Sequence, residues 1–514
     1  MTSKRLILAL VTILALIPVF LNLLGSLEQP QVQDKLEIYQ TDIVLQSTEF
    51  DFDKLLSEKT ANELTDWRST LFGKNPYESV QKQYLAARQA SQENLKNLQN
   101  QFETINSEVS DYIDSKKQPE ASKKEIASEQ KFIENLNLRL GIIQVKTGNI
   151  GEAKNTWQSL NNSVSPIGET AKILTGLWNQ PPETALNAEQ YIDSNLKGWF
   201  RYQALEQLYQ IENRQSQLLS LQEQEQASAK IALLKLIFLN SIPLLGGAFG
   251  VAILLFLLIQ LAIKKEQSLL ALNYNLPWKT PWGAVTIWEV LIVGFFFWGQ
   301  IILPIILLIL GSVFALNTAD LSLRGKSIYI LFNYLTLAVG GISVLYFSIK
   351  SFLPLDKNWF RFQWLSKWFI WGIGGYLVAL PLVVVISLIN QQIWGGQGGS
   401  NPLLFLALET QDWFAVAIFF LTASIAAPLY EEIMFRGFLL PSLTRYVPVW
   451  GAILISSLIF AIAHQNLSEI LPLLVLGIIL GITYTRSRNL LASILLHSLW
   501  NSGTLLSLFI LGSG

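Results

Sequence analysis

Cysteine is missing from this chain altogether, and histidine occurs only as His464 and His497. Without cysteine there is no disulfide, no thiolate metal site and no thiol nucleophile. A cationic surplus is missing too: 37 Lys and Arg stand against 38 Asp and Glu, a balance that gives no sign of a nucleic-acid partner. After Lys230 acids become scarce. Only Glu266, Glu289, Asp320, Asp356, Glu409, Asp412, Glu431, Glu432 and Glu469 remain of the 38, the others falling between Leu27 and Lys230. Long apolar runs take their place, which predicts a polar domain followed by a polytopic membrane domain.

Lys4 and Arg5 precede an apolar run over 6–24. At about 19 residues it approaches the roughly 20 that span a bilayer, and it predicts an uncleaved anchor (1–26) with its basic end in the cytoplasm. Residues 27–230 are rich in Gln, Glu, Lys, Leu and Ala, the composition of a soluble helical domain. Within it Leu140, Gly141, Gly148, Ala153, Trp157 and Leu160 resemble a tetratricopeptide helix pair, and 202–221 is a weaker echo. A stable array needs about three repeats, so a plain helical bundle is an equal reading.

From 236 onward the apolar runs predict spans at 236–263, 284–316, 328–349, 368–389, 413–440, 449–465, 470–485 and 490–511, about nine with the anchor. Residues 231–366 carry the additional membrane helices, and 367–514 form the last domain. Taking 284–316 as one span kinked at Pro304, rather than a hairpin, places Lys264, Lys279, Lys350, Arg361, Arg445 and Arg486 on the side of Lys4, as the positive-inside rule requires. The polar domain then faces outward. Trp278, Trp282, Trp359 and Trp364 flank spans and predict an interfacial belt. Gly477 and Gly481 are spaced as a helix contact.

The fold class expected is therefore all-α, a polytopic helix bundle with an N-terminal helical domain. Its chemistry concentrates in one place. Glu431, Glu432 and Arg436 interrupt an apolar run from 414 to 440, and charge at membrane depth costs a few kcal/mol per residue, about 3, unless function or pairing retains it. Glu432 and Arg436, four apart, share a helical face and form an economical ion pair. Glu431 is left about 100° around the helix without that partner, a setting suited to a general base. Phe460 shares a face with His464, and His497 with Asn501. Singly, each residue is as well explained by a helix-to-helix hydrogen bond or a buried clamp. Jointly, both histidines and the only adjacent acid pair of the last spans fall within about 70 residues at membrane depth, which favours function.

Glu431-Glu432-x-x-x-Arg436, Phe460-x-x-x-His464 and His497-x-x-x-Asn501, in this order on successive spans, resemble the three motifs of the CPBP family of intramembrane proteases, which includes the type II CAAX prenyl proteases and bacterial Abi proteins. The resemblance covers roughly 370–511. It implies peptide-bond hydrolysis in the membrane, with Glu431 activating water, His464 assisting, and His497 and Asn501 stabilising the oxyanion. Glu432, Arg436 and Phe460 would support them. A zinc ion held by His464, His497 and Glu431 or Glu432 is the rival chemistry. The expected partners are a membrane protein or lipidated peptide as substrate and a protein on the outward helical domain, in a bacterial-type cell membrane. A scaffold or immunity-type protein of the same fold is the alternative function. A transporter fits less well, since the earlier spans do not repeat the polar cluster.

Overall fold

The computed structural model describes residues 3–513 apart from 28, 30, 32, 53–71, 74, 109–116, 162, 164–165, 315–317, 319–320 and 411. Leu316 and Asp320, at the predicted end of one span, lie outside the described residues. The chain divides into two compact units, 33–238 and a membrane unit of 1–32 with 239–513. No strand occurs among the described residues.

The first unit is built from helices Gln33–Thr48, Pro76–Glu108, Lys117–Lys146, Ile150–Gln158, Pro166–Leu177, Ala188–Asn195 and Gly198–Ile211. The predicted helix pair is formed by the third and fourth of these. Gly148, at φ +85°, makes the turn between them in a conformation that costs glycine little. Trp157 then lies flat against Gly141, where a Cβ would come within 2.2 Å of the indole nitrogen. That nitrogen donates instead to the Leu138 carbonyl at 3.0 Å, so the largest apolar side chain in the hairpin is buried without an unpaired polar atom. Tyr84, Leu140, Trp199 and Phe200 continue the same core.

The chain passes to the membrane unit within the long helix Gln215–Lys264. Among the described residues eight helices are long and apolar enough to cross a membrane: Ser3–Ser26, Gln215–Gln267, Ala284–Val313, Leu323–Phe352, Trp368–Trp394, Trp413–Leu443, Leu467–Ser487 and Leu490–Gly512. This chain is a multi-pass membrane protein. The ninth predicted span is present only as the 14-residue helix Val449–Ile462. At ~1.5 Å per residue it reaches about 21 Å, short of the ~30 Å hydrocarbon core. It stops because the chain turns at 463–466, with Gln465 at φ +61°, and this leaves His464 in the turn rather than inside a helix.

Ala284–Val313 is a single helix and not a hairpin. Three π-helical stretches, Val290–Ile302, Leu421–Ala426 and Ile433–Leu439, each end two residues before a proline: Pro304, Pro428 and Pro441. A proline has no N–H to give the carbonyl four residues back, and its ring crowds that carbonyl. Widening the preceding turns relieves the clash without ending the helix.

One end of the bundle is knotted together by hydrogen bonds among its connections. Asn273 donates to the Arg486 carbonyl at 3.1 Å, the Trp278 amide to Thr444 at 3.0 Å, and Asn489 to the Gln363 carbonyl at 2.8 Å. Lys279, Arg361, Arg445 and Arg488 belong to these same connections. The expected aromatic belt is corrected here. Only Trp364 is exposed, while Trp278, Trp282 and Trp359 are buried, with Trp282 and Trp359 in contact at 4.4 Å. The indole N–H groups of Trp278, Trp359 and Trp282 reach the Asn358 carbonyl, the Lys279 carbonyl and Ser442. These hydrogen bonds let the loops fold inward over the end of the 413–443 helix. At the opposite end Arg324 pairs with Asp412 at 2.6 Å, and Asn22 donates to Gln465 at 2.6 Å.

Candidate active site

The 413–443 helix starts on Asp412, whose carboxylate accepts from the Phe414 and Ala415 amides. From Trp413 to Tyr430 it carries no charge, and its first polar cluster comes mid-helix, directly after Pro428 and between the two π stretches. The wider turns change which side chains share a face, and π stretches are frequent where function demands this.

Glu432 and Arg436 form the expected ion pair at 2.9 Å, and both side chains are fully buried. Arg436 also donates to the Gly477 carbonyl at 3.1 Å and lies over the Phe460 ring at 4.5 Å. Gly477 and Gly481 pack on Ser457 and Ile453 of the 449–462 helix, which brings that helix close and leaves the Gly477 carbonyl within reach of Arg436. Removing either member of such a buried pair would strand the other, at a cost of about 3–5 kcal/mol.

His497 is held against this pair. Its Nδ1 lies 3.0 Å from Glu432 Oε1, and its Nε2 lies 3.8 Å from Glu431 Oε2. Glu432 is a carboxylate, so Nδ1 is the donor and carries a hydrogen. Glu431 is oriented by a residue absent from the sequence-based set. Tyr334, on the helix Leu323–Ile349, donates its hydroxyl to Glu431 Oε1 at 2.8 Å. Glu431 Oε2 is buried and meets no hydrogen-bond partner among the described residues. One sequence signal could have pointed to Tyr334, a hydroxyl-bearing ring within an apolar span. Its helix lies outside the predicted last domain, so 367–514 alone does not enclose the cluster.

Around these groups the walls are aromatic. Phe295 stacks on Tyr430 at 6.1 Å and meets Phe435 at 5.2 Å, and Phe435 meets Phe460 at 5.4 Å. Gly341 lets Tyr430 approach, since a Cβ there would fall 2.3 Å from its hydroxyl. Such a wall keeps the local dielectric low and strengthens every charge interaction inside it.

The second histidine joins through Phe460. That ring contacts both imidazoles edge-on, His464 at 4.9 Å and His497 at 5.7 Å. His464 Nδ1 lies 2.9 Å from the Phe460 carbonyl, an acceptor only, so Nδ1 is again the donor and Nε2 is left for other chemistry. Asn501, expected beside His497, is turned so that its amide donates to the Ala423 carbonyl at 2.7 Å; an amide has a second N–H to offer. The zinc set does not assemble. Among the described residues no group of three or more His, Asp or Glu is arranged to hold a metal ion.

Comparison with known proteins points to the same stretch. Residues 413–503 match the family described as type II CAAX prenyl endopeptidase Rce1-like. Over 140 residues the chain is 31% identical to the membrane-embedded CAAX protease MroQ of Staphylococcus aureus (strain USA300), a match covering 26% of this chain and 54% of MroQ. It is 28% identical over 134 residues to YdiL of Bacillus subtilis (strain 168), covering 26% and 53%. With the UPF0177 protein YxdF of Lactococcus lactis subsp. lactis (strain IL1403) the identity is 29% over 164 residues, covering 30% and 86%. The chain thus spans about half the length of MroQ and of YdiL. No solved structure matches it. Glu431, Glu432, Arg436, His464, His497 and Asn501 all fall inside the matched residues, and 413–503 are a domain of the Rce1-like type II CAAX prenyl endopeptidase family set in a larger membrane protein.

Proposed function

We propose that this chain is an integral membrane endopeptidase that hydrolyses peptide bonds of membrane-associated protein substrates by glutamate-activated water. The observation that carries the reading is the pair Glu431 Oε2 and His497 Nε2. They are 3.8 Å apart, and Glu431 Oε2 is a buried acceptor without a hydrogen-bond donor among the described residues. A water about 2.8 Å from each atom is geometrically allowed, because twice that distance exceeds their separation.

In the proposed reaction Glu431 takes a proton from that water while the oxygen adds to the scissile carbonyl carbon. Tyr334 holds the carboxylate in position throughout. The carbonyl oxygen becomes an oxyanion, met by His497 and Asn501. With Nδ1–H bonded to Glu432, donation from His497 Nε2 to the oxyanion requires the doubly protonated ring. The intermediate then breaks its C–N bond, and the leaving amine takes the proton from Glu431, with His464 Nε2 assisting the transfer. By the positive-inside rule the basic connections face the cytoplasm and residues 27–230 lie outside it, where they recruit or restrict substrates.

The test is cleavage of a panel of membrane-anchored peptides by the purified chain, wild type beside Glu431→Gln, with and without a strong zinc chelator. The expected outcome is a loss of at least about a hundredfold in the variant and no effect of chelator. Equal cleavage by both proteins would place the water-activating group elsewhere, and zinc-restorable loss to chelator would replace the glutamate mechanism with a metal one.

A further inference from the structure

Away from the polar cluster, the membrane unit holds a cavity of about 1000 Å³ between the C-terminal part of the 215–264 helix, the 368–394 helix and the 470–487 helix. Its walls are apolar, among them Leu257, Leu261, Ile370 and Leu382. None of Glu431, Glu432, His464 or His497 lines it. At the basic end of the bundle it adjoins a second, polar cavity of about 340 Å³, and Lys367, Trp371 and Arg486 line both. Arg361 and Arg488 complete the charge of the smaller one, and Lys265 lies on the larger. Against these five cations the two linings contain one acid, Glu266.

Arg486 is the informative member. It is 1% exposed, yet its Nε and one terminal nitrogen find no hydrogen-bond partner among the described residues. Its other terminal nitrogen reaches only Thr485 Oγ1, at 3.3 Å. Stranding guanidinium donors in an apolar wall is costly, and the natural complement is an anion whose oxygens can take two of them at once. Arg488 is more fully committed, to the Leu276 carbonyl and the face of Trp278 at 3.5 Å. An anion beside an apolar chamber of this size is one end of an amphiphile.

We propose that the two cavities together bind an anionic phospholipid, its phosphate held by Arg486 with Lys367 and Arg361 and its acyl chains in the apolar cavity. The proposal is independent of the catalytic reading. The headgroup sits where the positive connections gather, and the chains enter from the hydrocarbon side of the same helices, so both halves of the ligand meet matching surface.

The test uses the purified full chain, stripped of lipid in detergent, with dioleoylphosphatidylglycerol, dioleoylphosphatidylcholine and inorganic phosphate as separate probes. Binding is read by native mass spectrometry and by the shift in unfolding temperature. Phosphatidylglycerol is expected to bind and stabilise, phosphatidylcholine and phosphate much less. Lys367→Gln should weaken phosphatidylglycerol roughly fivefold, and Arg486→Gln should weaken it further. Should Arg486→Gln fail to fold, two other positions keep the test open. Lys367 is exposed, and Gly374 lines the cavity with nothing within 4 Å of an added Cβ, so Gly374→Trp fills the chamber. Equal binding of phosphatidylcholine would reduce the site to an apolar groove. Competition by phosphate alone at similar concentration would make it a free-anion site. Unchanged phosphatidylglycerol affinity in both Lys367→Gln and Gly374→Trp would overturn the proposal.

Discussion

Three groups divide the work on Glu431 and Glu432, although the two carboxylates are neighbours in the chain. Glu432 is spent on structure: one of its oxygens accepts from Arg436 at 2.9 Å and from His497 at 3.0 Å. Glu431 has one oxygen committed to Tyr334 and one uncommitted. A hydrogen bond to an ionised carboxylate is worth about 1.5–3 kcal/mol, and about 1.4 kcal/mol of barrier is tenfold in rate. Tyr334→Phe should therefore lower kcat roughly tenfold or more with little change in KM, measured on any peptide the wild type cleaves. A change in KM alone would mean that Tyr334 shapes the substrate channel and not the base. Helical spacing anticipated the Glu432–Arg436 pair, because i to i+4 contacts are local. Spacing could not anticipate Tyr334, because that contact joins residues 97 positions apart.

Among the elements, close helix approach at glycine recurs. Gly141 admits Trp157, Gly341 admits Tyr430, and Gly477 admits the 449–462 helix. Gly141 is the simplest to test, since it lies outside the membrane unit. An added methyl would overlap the indole at 2.2 Å, and the indole is pinned by its bond to Leu138. Gly141→Ala should destabilise the 33–238 unit by about 1–3 kcal/mol, the ordinary cost of overpacking, read as a drop in its unfolding temperature. No change would mean that Trp157 can swing away without loss. The short 449–462 helix is the element in which composition misled: the apolar letters run on to 463, yet the backbone turns before the bilayer would be crossed. Apolar content measures solvent preference, whereas helix length depends on where the chain turns, here at 463–466.

For the whole molecule, the absence of cysteine turns orientation into a clean experiment. Leu186, in the polar unit, and Leu365, between Arg361 and Lys367, are both highly exposed. If the basic end faces the cytoplasm, Leu186→Cys should react with a membrane-impermeant maleimide added to intact cells, and Leu365→Cys should react only after permeabilisation. The reverse pattern would invert the proposed topology and put the polar unit inside.

The sequence by itself determined the class of molecule. Hydropathy and charge are properties of letters, and they separated the polar unit from the membrane unit, predicted about nine spans of which eight are long enough to cross among the described residues, and marked the polar cluster as costly enough to have a purpose. Motif order was equally readable, because it too is a property of the letters. Only tertiary structure decided which glutamate oxygen stays free, that Tyr334 joins the site, that Phe460 touches both histidines, and that three tryptophans face inward. Each of these depends on contacts between distant segments, whose geometry is set by helix packing and by glycines and prolines that alter it, and not by local preference.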